Sequence, residues 1–218
     1  MRYKYPRTYH LPWSQTISAD DKFLDALDHF HGEEVVVTEK LDGENTTLYK
    51  DWSHARSIDS PANISRDWVR RLHSMIRHDI PEGMRICGEN VWAEHSIRYE
   101  DGRLNSYFYL FSIWDHQTCL SYDETVEWAN IFDLPMPQVF YRGCFDEYNL
   151  TQLAESLDLN KIEGYVIRKT SSFSYNEFDK SVAKFVRANH VTTNQHWLKH
   201  IKKNGELSKP IKPVFMDI

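Results

Sequence analysis

Apolar and polar positions along this chain follow two periods. Alternating or unbroken apolar runs predict strands at 34–40, 45–50, 84–92, 106–114, 138–141, 163–169 and 181–187. The run YFYLFSIW, residues 107–114, is aromatic enough to require a strand that is buried or lines a cleft. Helical spacing places Phe23, Leu24, Leu27 and Phe30 on one face over 20–30, and Trp68, Val69, Leu72 and Ile76 over 66–77, with Ser65 as N-cap. Ser121 and Glu124 have capping-box spacing and predict a helix over about 122–132. Shorter helices are expected at 151–157 and at about 191–203, the latter with cations in its last turns.

Helices interrupt the strands without a regular strand–helix–strand rhythm. That pattern predicts an α+β domain on largely antiparallel sheets with flanking helices. Residues 204–218 carry two prolines and read as a tail. A chain of 218 residues suits one large domain and buries roughly 70% of its unfolded surface, so it needs no disulfide or metal staple. No apolar stretch approaches about 20 residues, so no membrane span is expected, and the N-terminus lacks an apolar signal core. Cys87, Cys119 and Cys144 are odd in number and widely spaced. They point to reduced thiols in a cytoplasm, packed as small apolar groups. The net charge of −6 argues against a general nucleic-acid coat. It leaves room for a local cationic groove on an acidic whole.

The candidate chemistry starts at TEKLDGEN, residues 38–45. The strand Val35-Val36-Val37-Thr38 runs into Lys40, and Asp42-Gly43 reads as a tight hairpin turn before Thr46-Thr47-Leu48-Tyr49. Lys40 thus sits at a rigid place from which a side chain can be aimed. A lysine attacks only as the free amine, roughly one molecule in a few thousand at pH 7. Desolvation or nearby cations must lower its pKa. A metal with substrate phosphates supplies such charge, and carboxylates hold the metal. Three further sites place charge in apolar strands. These are Glu89 in CGENVW, Glu163-Gly164 in KIEGYVIRK, and Lys184 with Arg187 in SVAKFVRANH. Buried strands rarely carry unpaired charge, so the four strands are expected to meet in one cleft.

Lys40-Leu41-Asp42-Gly43 resembles motif I, K-x-D-G, of the covalent nucleotidyltransferases: DNA ligases, RNA ligases and capping enzymes. Arg56 in HARS resembles motif Ia, Glu89 motif III, Phe111 motif IIIa, Glu163-Gly164-Tyr165-Val166 motif IV, and Lys184 lies where motif V belongs. Asn45, five residues after the lysine, is similar to a feature of type-2 RNA ligases. The resemblance covers about residues 5–190. It implies a nucleotidyltransferase (ATP-grasp-like adenylation) domain over 1–190, with 191–218 as C-terminal helix and tail and no separate C-terminal domain.

The resemblance further implies an ATP-dependent RNA ligase. ATP would adenylylate Lys40, and AMP would pass to a 5′-phosphate RNA end that a 3′-hydroxyl then seals. Lys40, Asp42, Glu163 and Lys184 are the implied catalytic set, with Glu163 organising Mg²⁺ or Mn²⁺. Thr38, Glu39, Asn45, Arg56, Glu89, Phe111, Lys184 and Arg187 are the implied nucleotide-binding set. Glu89 would hold the ribose, Asn45 would lie near the ribose or α-phosphate, Arg56 and Lys184 would contact phosphate, and Phe111 would stack on adenine. Motif V here has one lysine, with Val182 and Val186 where a second would stand, so Arg187 or Lys180 is the candidate second cation. Tyr107 or Tyr109 could replace Phe111 as the stacker. Alternative activities are DNA nick sealing, guanylyltransferase-like capping, or nucleotide and RNA-end binding without turnover.

Other features read as structural. Arg66, Arg70, Arg71 and Arg77 form a cationic helix face that is usually only solvated. His196 and His200 lie four apart but lack the partners of a zinc site. His54 and His95 flank the motifs, and Trp13 reads as an N-terminal packing anchor.

Overall fold

A computed structural model describes residues 1–15, 21–188 and 201–208. In chain order the elements are β1 (Tyr9–His10), β2 (Glu34–Glu39), β3 (Glu44–Leu48), β4 (Ser53–Ala55), α1 (Asp67–Ile76), β5 (Met84–Asn90), β6 (Phe108–Asp115), β7 (Thr118–Cys119), α2 (Tyr122–Ile131), β8 (Val139–Cys144), α3 (Glu147–Ser156), β9 (Gly164–Lys169), β10 (Phe173–Ser174) and β11 (Val182–Val186). They form two sheets, ordered β1-β11-β9-β2-β8 and β10-β7-β6-β5-β3-β4. Every pairing is antiparallel except β1 with β11. This is the expected α+β architecture on largely antiparallel sheets.

Period-two alternation explains how β9 and β11 serve two environments. Tyr165, Ile167, Ala183 and Phe185 face a core with Val35, Val37, Phe30 and Leu150. Burying each such aliphatic or aromatic side chain contributes about 2 kcal/mol. Val166, Arg168, Val182 and Lys184, one residue out of phase, line a cleft. Behind the other sheet, α1 and α2 pack Val69, Leu72 and Ala129 against Leu48, Ile86 and Leu110. Between the sheets, Trp114, Phe173, Phe178 and Val182 form a smaller core.

The segment Lys40–Gly43 does not make a hairpin. β2 and β3 belong to different sheets, so this stretch crosses from one to the other. Gly43 is needed for close approach: a Cβ there would lie 2.4 Å from the Asn90 carbonyl oxygen. Residues 21–30 are not helical either. His10 N–H donates to Lys22 O and Leu24 N–H to His10 O, which holds the stretch extended until a 3-10 turn at Asp28–Phe30. Leu24, Leu27 and Phe30 still pack inward, while Phe23 is 39% exposed.

Helix α1 lies where expected, but Ser65 does not cap it. Asn63 accepts from Ser65 N–H and caps the preceding 3-10 turn. Helix α2 carries the expected Ser121–Glu124 capping box. Helix α3 starts four residues before the expected boundary because Asp146 caps it. The expected helix at 191–203, with His196 and His200, lies largely outside the described residues, and the described Ile201–Lys203 is not helical.

Residues 204–208 are stitched into the body. Buried Asn204 donates from its side chain to Val91 O and Ala93 O and accepts from Tyr99 N–H. Of the cysteines, Cys87 and Cys119 are buried as expected, but Cys144 is exposed. No helix among the described residues is long and apolar enough to cross a membrane.

Candidate active site

The two sheets bound a cleft of about 540 Å³. Lys40 enters it from the inter-sheet crossover, and its backbone N–H donates to Gly164 O at 2.9 Å. Gly164 is required there, since a Cβ would meet Phe185 O at 2.0 Å. The Lys40 Nζ donates to Glu163 Oε2 at 2.5 Å, with Glu163 5% exposed and Lys40 22% exposed. Three chain-distant strand ends thus converge.

Thr38, Glu39, Lys40, Asn45, Arg56, Glu89, Phe111 and Lys184 all line the cleft. Asn45 stands opposite Glu89 in the β3–β5 pairing. Its side-chain oxygen is buried without a hydrogen-bond partner, as an acceptor awaiting a ligand would be. Phe111 packs edge-on against Tyr5 and belongs to the cleft wall, whereas Tyr107 and Tyr109 pack into a separate core. Glu39 already binds Arg103 Nη2 through both oxygens at 3.0 Å.

Asp42, Glu163 and Arg187 are not among the cleft-lining residues, and Glu163 meets the site through its contact with Lys40. Asp42 Oδ2 accepts from Ser96 N–H, Ser96 Oγ and Ile97 N–H at 2.7–2.8 Å, and its own N–H donates to Tyr99 Oη. Arg187 donates to Ser96 O and to Leu159 O. Both brace the 96–99 segment. Neither Arg187 nor Lys180 lines the cleft as a second cation. Arg66 of the cationic face is consumed by Glu44, at 2.6 and 2.5 Å. His95 lines the cleft and His54 does not. Trp13 Nε1 donates to Tyr165 Oη at 2.8 Å, as a packing anchor would.

The electrostatics differ from the expectation at Lys40. Desolvation alone would lower its pKa, but Glu163, Glu89 and Asp42 outweigh burial and raise it. Lys40 is therefore held as an ammonium. The depressed lysine is Lys184, pushed down to about 8 by burial and then by the Lys40 charge. Burial raises Glu89 to about 8; Lys40 opposes this, while Glu163, Asp42 and Glu44 add to it.

Sequence reasoning missed Arg7, Lys22, Tyr5 and Arg168, all of which line the cleft. Arg168 is 7% exposed, lies 5.5 Å from the Phe173 ring, and has one buried guanidinium nitrogen without a partner. Charge inside the apolar run of β9 was the available signal, the same one that flagged Lys184. The N-terminal residues carried no such signal.

Among the described residues, no three Asp, Glu, His or Cys side chains converge as a metal cage. Glu163 beside Lys40 suits instead a hard cation that takes one or two carboxylates and completes its shell with phosphate and water.

A sequence model of the RNA ligase family matches residues 33–186. Solved structures with similar folds include three ligases. An archaeal ATP-dependent RNA ligase is 16% identical, with a TM-score of 0.54 over 84% of this chain and 48% of that one. A Naegleria gruberi RNA ligase solved with pyrophosphate is 22% identical, with a TM-score of 0.53 over 80% and 53%. A putative ATP-dependent DNA ligase from Aquifex aeolicus is 19% identical, with a TM-score of 0.50 over 74% and 46%. The chain spans about half the length of these structures. No curated protein matches it at a significant level. A family match over more than half of the residues, on a fold shared with solved ligases, makes this chain a member of the RNA ligase family.

Proposed function

We propose that this chain is an ATP-dependent RNA ligase that joins 5′-phosphate and 3′-hydroxyl ends through a lysyl–AMP on Lys40. The observation that carries the reading is that Lys40, in contact with buried Glu163, enters a cleft lined by Glu89, Arg56, Lys184 and Phe111. Family membership supports RNA as the substrate class.

Phosphoryl transfer asks a protein for positioning and charge neutralisation more than for acid–base chemistry. Phe111 offers a ring to the adenine at the apolar end of the cleft. Glu89 and Asn45, paired across β3 and β5, offer acceptors to the ribose hydroxyls. Arg56 and Lys184 hold phosphate oxygens. Thr38 and Glu39 shape the wall beside the nucleophile, and Asp42 and Arg187 fix that wall through the 96–99 segment.

While Glu163 holds Lys40 as an ammonium, the amine cannot attack. Glu163 would be the residue to hold Mg²⁺ or Mn²⁺, which when bound would supply positive charge beside Lys40 and favour its free amine. Lys40 then forms an Nζ–P bond at the α-phosphate as the bond to the β-phosphate breaks, and pyrophosphate leaves with the electron pair. The ammonium gives up two protons in the net reaction, one before attack and one as the phosphoramidate forms.

The test is end-joining. The purified chain, Mg²⁺ and ATP are given 5′-labelled RNA or DNA, with and without a complementary splint. Sealed RNA supports the reading. Sealing of DNA alone, or use of GTP in place of ATP, contradicts it and favours a nick-ligase or capping activity.

A further inference from the structure

Lysine has a flexible four-carbon stem, so the aim of the Lys40 amine depends on the backbone that carries it. The Lys40 N–H is fixed by Gly164 O, at the start of β9. Its neighbours are fixed elsewhere, by the segment between β5 and β6. Arg103 Nη2 holds both carboxylate oxygens of Glu39, one residue before the nucleophile. Tyr99 Oη accepts from the Asp42 N–H at 2.8 Å, two residues after it. Leu41 packs in one core with Ile97 and Tyr99. Residues 39, 41 and 42 thus all lean on residues 97–103. Neither Tyr99 nor Arg103 lines the cleft.

The 97–103 stretch belongs to neither sheet, so no ladder holds it and its backbone groups need other partners. Residues 202–206 supply them as a clasp. Glu94 N–H donates to Lys202 O, and Asn204 N–H donates to Trp92 O. Tyr99 N–H donates to Asn204 Oδ1 at 2.9 Å, and Gly205 N–H donates to the Tyr99 carbonyl at 2.7 Å. Both backbone polar groups of Tyr99 are therefore held by the clasp while its hydroxyl holds Asp42. Gly205 permits the approach, since a Cβ there would lie 2.4 Å from the Asp101 nitrogen. The clasp residues do not line the cleft, and they lie outside the residues 33–186 that the family model matches.

Filling the core beneath this segment asks only for an apolar ring at position 99. The structure adds a hydrogen bond at each polar atom of Tyr99, a residue only 2% exposed. Fully paired buried polar groups fix one arrangement, where apolar contacts alone tolerate sliding. In-line attack needs that fixity. The amine must meet phosphorus opposite the leaving oxygen, and a misplacement of about 1 Å costs on the order of 100-fold in rate.

We propose that the 202–206 clasp aims the nucleophile: Asn204 and Gly205 fix Tyr99, and Tyr99 fixes the Asp42 backbone from which Lys40 reaches its in-line position. Tyr99 and Asn204 are positioning residues, acting through the crossover and not on the nucleotide. This rests on the lysyl–AMP reading of Lys40 and extends it to residues beyond the motifs. It makes the rate of adenylyl transfer depend on a segment that contacts no part of the cleft.

The test compares the whole chain with Tyr99→Phe, which keeps the ring and loses the hydroxyl, and with Gly205→Ala, which lifts the clasp. Lysyl–AMP formation is followed in a single turnover at saturating ATP and Mg²⁺. Both variants should lower the rate constant by at least about 10-fold. Both should keep the end-point of one AMP per chain and the half-saturating ATP concentration within about 2-fold. A merely structural role would lower the end-point, because unfolded chains do not react, and leave the rate constant of the folded ones. That outcome, an unchanged rate constant, or a matching loss of ATP affinity overturns the proposal. Thermal melting sets a temperature at which each variant is folded, and Tyr99→Phe alone serves if Gly205→Ala is not. Hydrogen exchange of the Asp42 amide, read in parallel, should quicken by at least about 10-fold in both variants. A wild-type chain that forms no adduct refutes the ligase reading. Faster Asp42 exchange in the variants then leaves the clasp standing, and unchanged exchange removes it too.

Discussion

Lys184 carries a charge that is sensitive to pH near neutrality. Its pKa is depressed to about 8, so its ammonium is present below that value and lost above it. A phosphate ligand needs the ammonium, so kcat/KM for ATP should fall as pH rises through about 8. This profile reports the free enzyme. Lys184→Arg keeps its charge and should make the alkaline fall shallower; an unchanged profile would remove Lys184 from the phosphate site. Asp42 and Arg56 should separate by measurement. Asp42 accepts three hydrogen bonds in a buried setting, so Asp42→Ala should cost about 2–4 kcal/mol in denaturant unfolding. Arg56 is exposed and makes no hydrogen bond or ion pair among the described residues, so Arg56→Ala should shift stability by less than about 0.5 kcal/mol while weakening ATP. Individual motif residues were legible in the sequence because charge inside apolar strands is costly. Their partners were not. Nothing local shows that Glu163 would hold Lys40 as an ammonium, or that Asp42 would spend its carboxylate on Ser96 and Ile97.

At the scale of elements, the seven longer strands were readable because each carries five or more residues of alternation or apolar run. β1, β4, β7 and β10 have two or three residues, too few to carry a period. The apolar spacing of residues 23–30 mimics a helix, but backbone bonds to His10 hold that stretch extended. Asp42-Gly43 mimics a hairpin because the sequence shows the tightness of the passage and not which sheet lies beyond it. Here the glycine answers to a neighbouring carbonyl. Gly43→Ala should therefore cost about 1–3 kcal/mol by overpacking against Asn90 and reduce adenylylation with it. Ser121→Ala removes one partner of the α2 capping box, at a residue that does not line the cleft. It should cost about 1 kcal/mol and leave adenylylation unchanged.

At the scale of the whole molecule, the cleft exists because the chain changes sheets at Lys40 and returns through β9 and β11. That topology brings residues 7, 22, 40, 56, 89 and 184 to one wall system across most of the chain's length. Sequence order alone suggested the convergence of the motif strands, but it hid the N-terminal contribution, since β1 pairs with the last strand described. The central claim is that this assembly makes Lys40 a carrier of an adenylyl group. The most direct measurement is intact and peptide-resolved mass after incubation with Mg²⁺ and ATP, followed by denaturation. The account expects one AMP on the peptide containing Lys40 and none in Lys40→Ala. An unmodified protein, or AMP on another residue with Lys40 free, would contradict it.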